Sequence, residues 1–403
     1  MKLLIINSGS SSIKYQLLSM EDETVLASGL VERIGETMGI VKNTLYPDTA
    51  KELKVTLEEP IPDHRQGMLL VVSLLCDKEK GIIADKKEIT GIGHRVVHGG
   101  EDFHQSTLIT PEVIEALKKN IPLAPLHNPA NLDGIRVAME LFPDAVQVGV
   151  FDTAFHQTMP PQAYLYALPH ELYEKDRIRR YGFHGTSHAF VAGECARMLD
   201  KPLGECNLVT VHLGNGSSIT AIDKGRSVDT SMGMTPLEGL VMGTRCGDLD
   251  PAIHLFLHKN KGMDLPAIDS LLNKDSGLKG LCGMNDLRDI HKAVDEGDKR
   301  AQQALDALCY RNRKYIASYM AILGHVDAIV FTAGIGENDP IVRAESLRGM
   351  EFFGVHIDTV KNNQRSREAR RISTDASKVQ LFVIPTNEEL AIARETARLI
   401  SRN

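Results

Sequence analysis

The sequence predicts an α/β protein of two domains, and three observations carry that expectation. Short apolar runs alternate with helical patterns along the chain, as strands covered by helices require. At 403 residues the chain exceeds what one compact core usually holds. One turn is also written twice. Asn7-Ser8-Gly9-Ser10-Ser11-Ser12-Ile13 and Leu213-Gly214-Asn215-Gly216-Ser217-Ser218-Ile219 both set G-S-S between two strand patterns. That reads as duplication of a fold unit, although Gly and Ser also fill unrelated turns.

Taken in order, Leu3 to Ile6 and Tyr15 to Leu18 flank the first turn as a β-hairpin. The opening apolar run is too short for a signal peptide. Met68 to Cys76 lies in a helix, and Ile89 to His98 alternates as a strand. Asn131 to Leu141 and Ser187 to Leu199 have helical spacing. Leu208 to Leu213 and Ser218 to Ile222 form a second strand–turn–strand. Lys299 to Leu323 is a long helix; Ala328 to Thr332 and Val379 to Ile384 are buried strands. A last helix starts at Thr386-x-x-Glu389, read as a capping box.

A formal charge of −7 without a basic stripe argues against a nucleic-acid partner. An acidic chain that handles anions must gather its cations locally. Six scattered cysteines without a C-x-x-C point to a reducing, cytoplasmic setting. No run is long enough to span a bilayer. The charged stretch Arg365 to Arg371 reads as a solvated surface.

Backbone N–H groups and Ser hydroxyls of the two duplicated turns can cradle phosphate oxygens, with Lys14 adding charge after the first. Neither is a Walker A loop. A third Gly-rich turn, Ala333-Gly334-Ile335-Gly336-Glu337-Asn338, fits a ligand loop and a plain turn equally. Three such turns together favour a nucleotide. In His94-Arg95-Val96-Val97-His98, strand alternation puts Arg95 and Val97 on one face. A guanidinium fork beside a small apolar wall suits a short fatty acid, although a surface Arg on an edge strand fits that segment too. His94 and His98 lack a third ligand and read as structural. Asp152, closing an apolar strand, is either functional or a turn cap. His184 and His188 lack the Glu of H-E-x-x-H. Arg245, in Met242-Gly243-Thr244-Arg245-Cys246-Gly247, can act as an arginine finger.

Together these segments resemble the acetate kinases along essentially the whole chain. The matching stretches run from Asn7–Lys14 through 94–100, 151–156, 182–188, 212–216, 242–245, 285–288 and 334–338 to Pro385-Thr386-Asn387-Glu388-Glu389. The resemblance implies a duplicated actin-like ATPase fold, of the ribonuclease H-like kind, with an interdomain cleft. It implies an N-terminal domain of 1–152 plus 386–403, a nucleotide-binding and dimerisation domain of 153–385, and a homodimer. It implies ATP/ADP and acetate as substrates, with Mg²⁺ (or Mn²⁺ in its place) held by Asn7 and Glu388. The family's catalytic roles fall on Arg95, Asp152, His184 and Arg245. Its acid-binding roles fall on Arg95, Val97, Leu126, His127 and Pro236. ATP contacts fall on Lys14, on His212, Leu213, Gly214, Asn215 and Gly216, on Asp286, Leu287 and Arg288, and on Gly334, Ile335, Gly336, Glu337 and Asn338. Rival readings are a propionate or other short-chain acid kinase, a sugar kinase, and a nucleotide switch of the actin or Hsp70 kind.

Overall fold

A computed structural model describes residues 1–125 and 127–402. The chain forms two compact units, Met1–Ala154 with Asn387–Asn403, and Phe155–Thr386. Each is an α/β unit built on a mixed sheet.

The first unit holds β1 (Lys2–Ser8), β2 (Ser12–Ser19), β3 (Thr24–Glu32), β4 (Gly39–Leu45), β5 (Leu53–Glu59), β6 (Ile89–Val96), β7 (Thr107–Leu108) and β8 (Val146–Phe151). Their order in the sheet is β5-β4-β3-β2-β1-β6-β8-β7. Because side chains alternate along a strand, β1 feeds two cores. Leu4 and Ile6 pack with Met68, Val71 and Leu75 of the helix His64–Leu75 and Ala138 of the helix Asn128–Leu141. Leu3 and Ile5 pack with Val148 and Val150, and with Ile392 and Ala393 of the helix Glu388–Ile400. That last helix lies close to β6: a Cβ on Gly93 would stand 2.5 Å from Thr396 Oγ1 and 2.7 Å from Ile392 Cγ2. Glycine here lets the helix dock.

The second unit holds β9 (Leu208–Leu213), β10 (Ser217–Asp223), β11 (Arg226–Thr230), β12 (Ala328–Thr332), β13 (Arg370–Arg371) and β14 (Gln380–Val383), ordered β11-β10-β9-β12-β14-β13. Val209, Val211, Ile329 and Phe331 face Leu305, Leu308 and Ile316 of the helix Lys299–Leu323. Leu208, Ala328 and Val330 face Val191, Ala192 and Cys195 of the helix Gly185–Met198.

The two sheets share a topology. In the first, β3-β2-β1 is an antiparallel meander, and β6 and β8 continue it in parallel. In the second, β11-β10-β9 is the meander, with β12 and β14 in parallel. The duplicated G-S-S turn joins β1 to β2 in one and β9 to β10 in the other, so the repeat seen in the sequence sits at equivalent places.

Three expectations need correction. Residues Ala333–Asn338 form a short helix, not a turn. The strand beginning at Ile89 ends at Val96, so simple alternation does not reach Val97 or His98. The last helix is capped by Asn387, whose side chain accepts from Leu390 N. Thr386 cannot serve as the cap because its hydroxyl accepts from Ser187 Oγ (2.8 Å) and its N–H donates to Glu337 Oε1 (3.2 Å).

Candidate active site

In the first unit the ends of parallel strands gather charge. Arg95 is the penultimate residue of β6, and Asp152 follows β8, where its backbone N–H donates to Val96 O (3.0 Å). Arg95 Nε donates to Asp152 Oδ1 at 3.0 Å and Nη2 to Oδ2 at 2.7 Å. Asp152 is buried and Arg95 half-buried. The Coulombic pull of Asp152 holds the guanidinium well above its ordinary pKa. The fork occupies one edge of the guanidinium; Nη1 has no hydrogen-bond partner among the described residues and can take a further anion.

Glu388 opens the last helix in the same electrostatic neighbourhood. Burial raises its carboxyl pKa, with Asp152 and Glu389 adding to the rise and Arg95 and Lys14 opposing it. Lys14, on β2, pairs with the Glu389 carboxylate. Asn7, on β1, lies opposite Lys14 in the hairpin register. Among the described residues no group of three His, Cys, Asp or Glu forms a metal cage. One carboxylate and one amide still suit Mg²⁺, which keeps several waters and is completed by substrate phosphates. The acidic surplus around Glu388 is what a divalent cation would relieve.

Asn131 is a positioning residue that the sequence reading missed. Its Oδ1 accepts from Val97 N (3.0 Å) and its Nδ2 donates to Ser8 O (2.8 Å), so it ties the Arg95 segment to the first turn. Asn128 Nδ2 donates to His98 O (3.0 Å). Only a helix arriving from 30 residues downstream supplies these contacts. Val97 is half-buried and His127 exposed. Leu126 lies outside the described residues. His94 is structural as read: its Nε2 meets Gln147 Oε1 at 2.8 Å, and burial pushes its pKa down to about 4.

In the second unit, His184 starts the helix Gly185–Met198 with a left-handed backbone (φ 57°). Its Nδ1 meets Ser218 Oγ at 2.9 Å, and its ring stacks on His212 at 4.2 Å. His188 is fully buried, bridged to Ser218 (2.7 Å) and Thr210 (2.7 Å), with its pKa held well below the ordinary value by burial. Arg245 bonds the Pro236 carbonyl (3.1 Å) and lies near Met242 Sδ (3.8 Å). Its guanidinium also borders Gly216, where a Cβ would stand 3.2 Å from Nη1. Burial lowers the Arg245 pKa, and among the described residues no carboxylate offsets that loss of hydration. A partly desolvated guanidinium at a Gly-rich turn is poised for an external anion.

A cleft of about 870 Å³ lies in this unit. Asn215, Asp286, Leu287, Arg288, Gly334, Ile335 and Asn338 line it, so seven of the fourteen residues expected to contact ATP share one wall system. Arg288 forks onto Asp286, drawing that carboxyl down to about 2. His212, Leu213 and Gly336 are buried rather than lining it, and Gly214 and Gly216 are half-buried in their turn. Glu337 accepts from Thr386 N, and burial raises its pKa. Lys14 belongs to the first unit. His291, paired with Asp339 at 2.7 Å, and Arg365 also line the cleft and were missed. Arg365, expected as solvated surface, is exposed and also lines the cleft.

Residues 2–394 match the Acetokinase family. The acetate kinase of Desulfotalea psychrophila is 61% identical over 404 residues, covering 100% of both chains. The crystal structure of Porphyromonas gingivalis acetate kinase superposes with a TM-score of 0.95 at 45% identity, over 99% of each chain. A propionate kinase from Francisella tularensis superposes at 0.90 with 41% identity, over 98% of this chain and 99% of its own. The chain belongs to the acetokinase family.

Proposed function

We propose that the chain transfers the γ-phosphoryl group of ATP reversibly to acetate, giving acetyl phosphate and ADP by direct in-line displacement. The observation that carries this reading is Arg245, a partly desolvated guanidinium with no acidic partner among the described residues, at the Gly214-Asn215-Gly216 turn. A switch that only holds a nucleotide has no need of it, nor of Arg95.

Acetate is ionised at neutral pH, so its oxygen attacks without a general base. The obstacle is repulsion between two anions, and phosphoryl transfer is chiefly positioning plus charge stabilisation. Arg95, aimed by Asp152, takes the carboxylate. By the family resemblance Val97 and Pro236 would line the methyl pocket, and His127 would belong to the acid site. Arg245 and His184 bear on the equatorial phosphoryl oxygens. The cleft residues hold the nucleoside, and the 212–216 turn and Lys14 hold phosphates. Asn7 and Glu388 would hold Mg²⁺, which when bound neutralises charge on the phosphates.

We further propose a homodimer formed through the second unit. In the helix Ala252–Lys261 no residue is buried, while Ile253, Leu255 and Phe256 are 41%, 54% and 56% exposed. A cytoplasmic setting agrees with six free cysteines and with the absence, among the described residues, of a helix long and apolar enough to cross a membrane.

Propionate is the second reading, favoured by the likeness to a propionate kinase. One methylene is worth about 1–3 kcal/mol, or roughly 10–200-fold. ADP formation from ATP and Mg²⁺ with acetate, propionate and butyrate, compared by kcat/KM, decides it. Acetate should lead. ADP formation indifferent to every acid would overturn the kinase reading.

A further inference from the structure

Residues 231–251 form neither helix nor strand, yet they carry Pro236 and Arg245. Irregular backbone stays in one place only if something pins it. Arg180 does so. Its Nη1 lies 3.0 Å from each of the Thr230, Ser231 and Met232 carbonyls, and its Nη2 donates to Glu238 Oε1 at 2.5 Å. The other Glu238 oxygen accepts from Tyr166 Oη (2.5 Å), which in turn accepts from Met234 N (2.9 Å). Tyr181 N and Gly182 N both donate to Gly233 O, at 3.0 and 3.1 Å. The closure is tight: a Cβ on Gly233 would stand 1.8 Å from Glu238 Oε2.

The pinning segment is Arg180-Tyr181-Gly182-Phe183-His184, so the strand of chain that fastens the loop also presents His184. At the far side of the fastened loop, Pro236 O holds Arg245 Nη1. A single guanidinium–carboxylate pair therefore joins the mounts of three residues read above as acting on the substrates.

We propose that Arg180 and Glu238 are positioning residues for phosphoryl transfer, setting where Arg245 and Pro236 stand with respect to His184 and so governing turnover and acid size selectivity. This rests on the roles given above to Arg245, His184 and Pro236. A pair that only stabilised the fold would alter melting and the folded fraction, but not the choice between acids.

The test compares Arg180→Lys, Glu238→Gln and the double variant of the full chain, with active enzyme counted by folded fraction. Arg180→Lys should lower kcat by about 10²-fold, the scale of a small misplacement. The ATP KM should stay within about twofold, and the propionate-to-acetate ratio of kcat/KM should shift by about threefold or more. The double variant should be little worse than the worse single one, because the pair acts as a unit. Unchanged kcat and acid ratio in folded Arg180→Lys overturn the proposal, as does a loss matched by folded fraction with the ratio fixed. Should Arg180→Lys fail to fold, Tyr166→Phe removes one hydroxyl from the same clamp. It should move both readouts in the same direction, and no movement overturns the proposal. Pro236→Ala and Arg245→Lys separate the underlying reading: if they leave the acid ratio and turnover intact, the substrate roles fail rather than the clamp.

Discussion

Arg95 and Asp152 are locked by two parallel hydrogen bonds whose geometry comes from the backbone: the Asp152 N–H sits on the carbonyl of Val96, the residue after Arg95. Both Asp152 oxygens bond Arg95, and we propose on that ground that the carboxylate aims the guanidinium rather than carrying a proton. Asp152→Asn should lower kcat/KM for the acid by about 10²-fold with the shape of the pH–rate profile preserved. Loss of one limb of that profile would make Asp152 a proton carrier.

Arg245 has few internal contacts to lose, a carbonyl at 3.1 Å and a sulfur at 3.8 Å. Arg245→Ala should melt close to the parent while turnover falls by about 10³–10⁵, the range of a cationic finger. Steady-state assay beside thermal unfolding checks this. Near-normal turnover in the folded variant would remove Arg245 from the phosphoryl-transfer step.

Glu388 titrates above the ordinary carboxylate range because partial burial and the neighbouring Asp152 and Glu389 charges disfavour its ionised form. As pH falls it takes a proton earlier than a solvated Glu would. Without metal the fold favours its protonated form, so this group's stabilising contribution is lost as pH rises through its folded pKa. A divalent cation binds only the ionised form and competes with the proton. The acid limb of kcat/KM should therefore move to lower pH as Mg²⁺ is raised. Profiles at several Mg²⁺ concentrations that share one acid limb would separate Glu388 from the metal.

Local signals made most of the fold legible. Lys299–Leu323 announces both ends, with Asp298 accepting from Arg300 N and Gly324 just past the last turn. Long-range contacts were not legible. Two glycines in Ala333–Asn338 argued for a turn. The segment is helical, and Arg343, fully buried, donates to its Gly336 and Glu337 carbonyls (2.9 and 3.0 Å) and anchors on Asn362. Arg365 looked like one charge in a solvated run, since its neighbours across the cleft, Arg288 and Asn215, are distant in sequence. Asn131 hid for the same reason: on a helix pattern it is one polar residue, and its two backbone partners, Ser8 at the end of β1 and Val97 just past β6, are distant in sequence.

Exposed Phe256 and Leu255 on a helix with no buried residue give the dimer proposal a direct check. Phe256→Glu places a charge where a second copy would cover apolar surface. Light scattering should show about half the parent's mass, with the monomer's circular dichroism unchanged. A parent chain that is already monomeric at micromolar concentration would end the proposal.

His94 gives the first unit a pH-dependent stability with a definite sign. Its imidazole is buried in β6 against Gln147, and its pKa falls from 6.5 to about 4. Folding therefore favours the neutral ring. Above pH 6.5 both states are neutral and the contribution is complete. Below that the unfolded chain takes up a proton that the folded chain refuses, so stability declines until about pH 4 and then levels. The full span corresponds to about 3 kcal/mol at most. His188 is depressed in the same direction in the second unit, so the wild-type slope is a sum, and a variant must isolate the His94 share. In urea unfolding at pH 7.5, 6 and 5, His94→Gln should be less stable than the parent at the highest pH and lose less as the pH drops. Parallel losses in the two proteins would mean that His94 is already protonated in the fold, or solvated, and that its pairing with Gln147 does not hold it neutral.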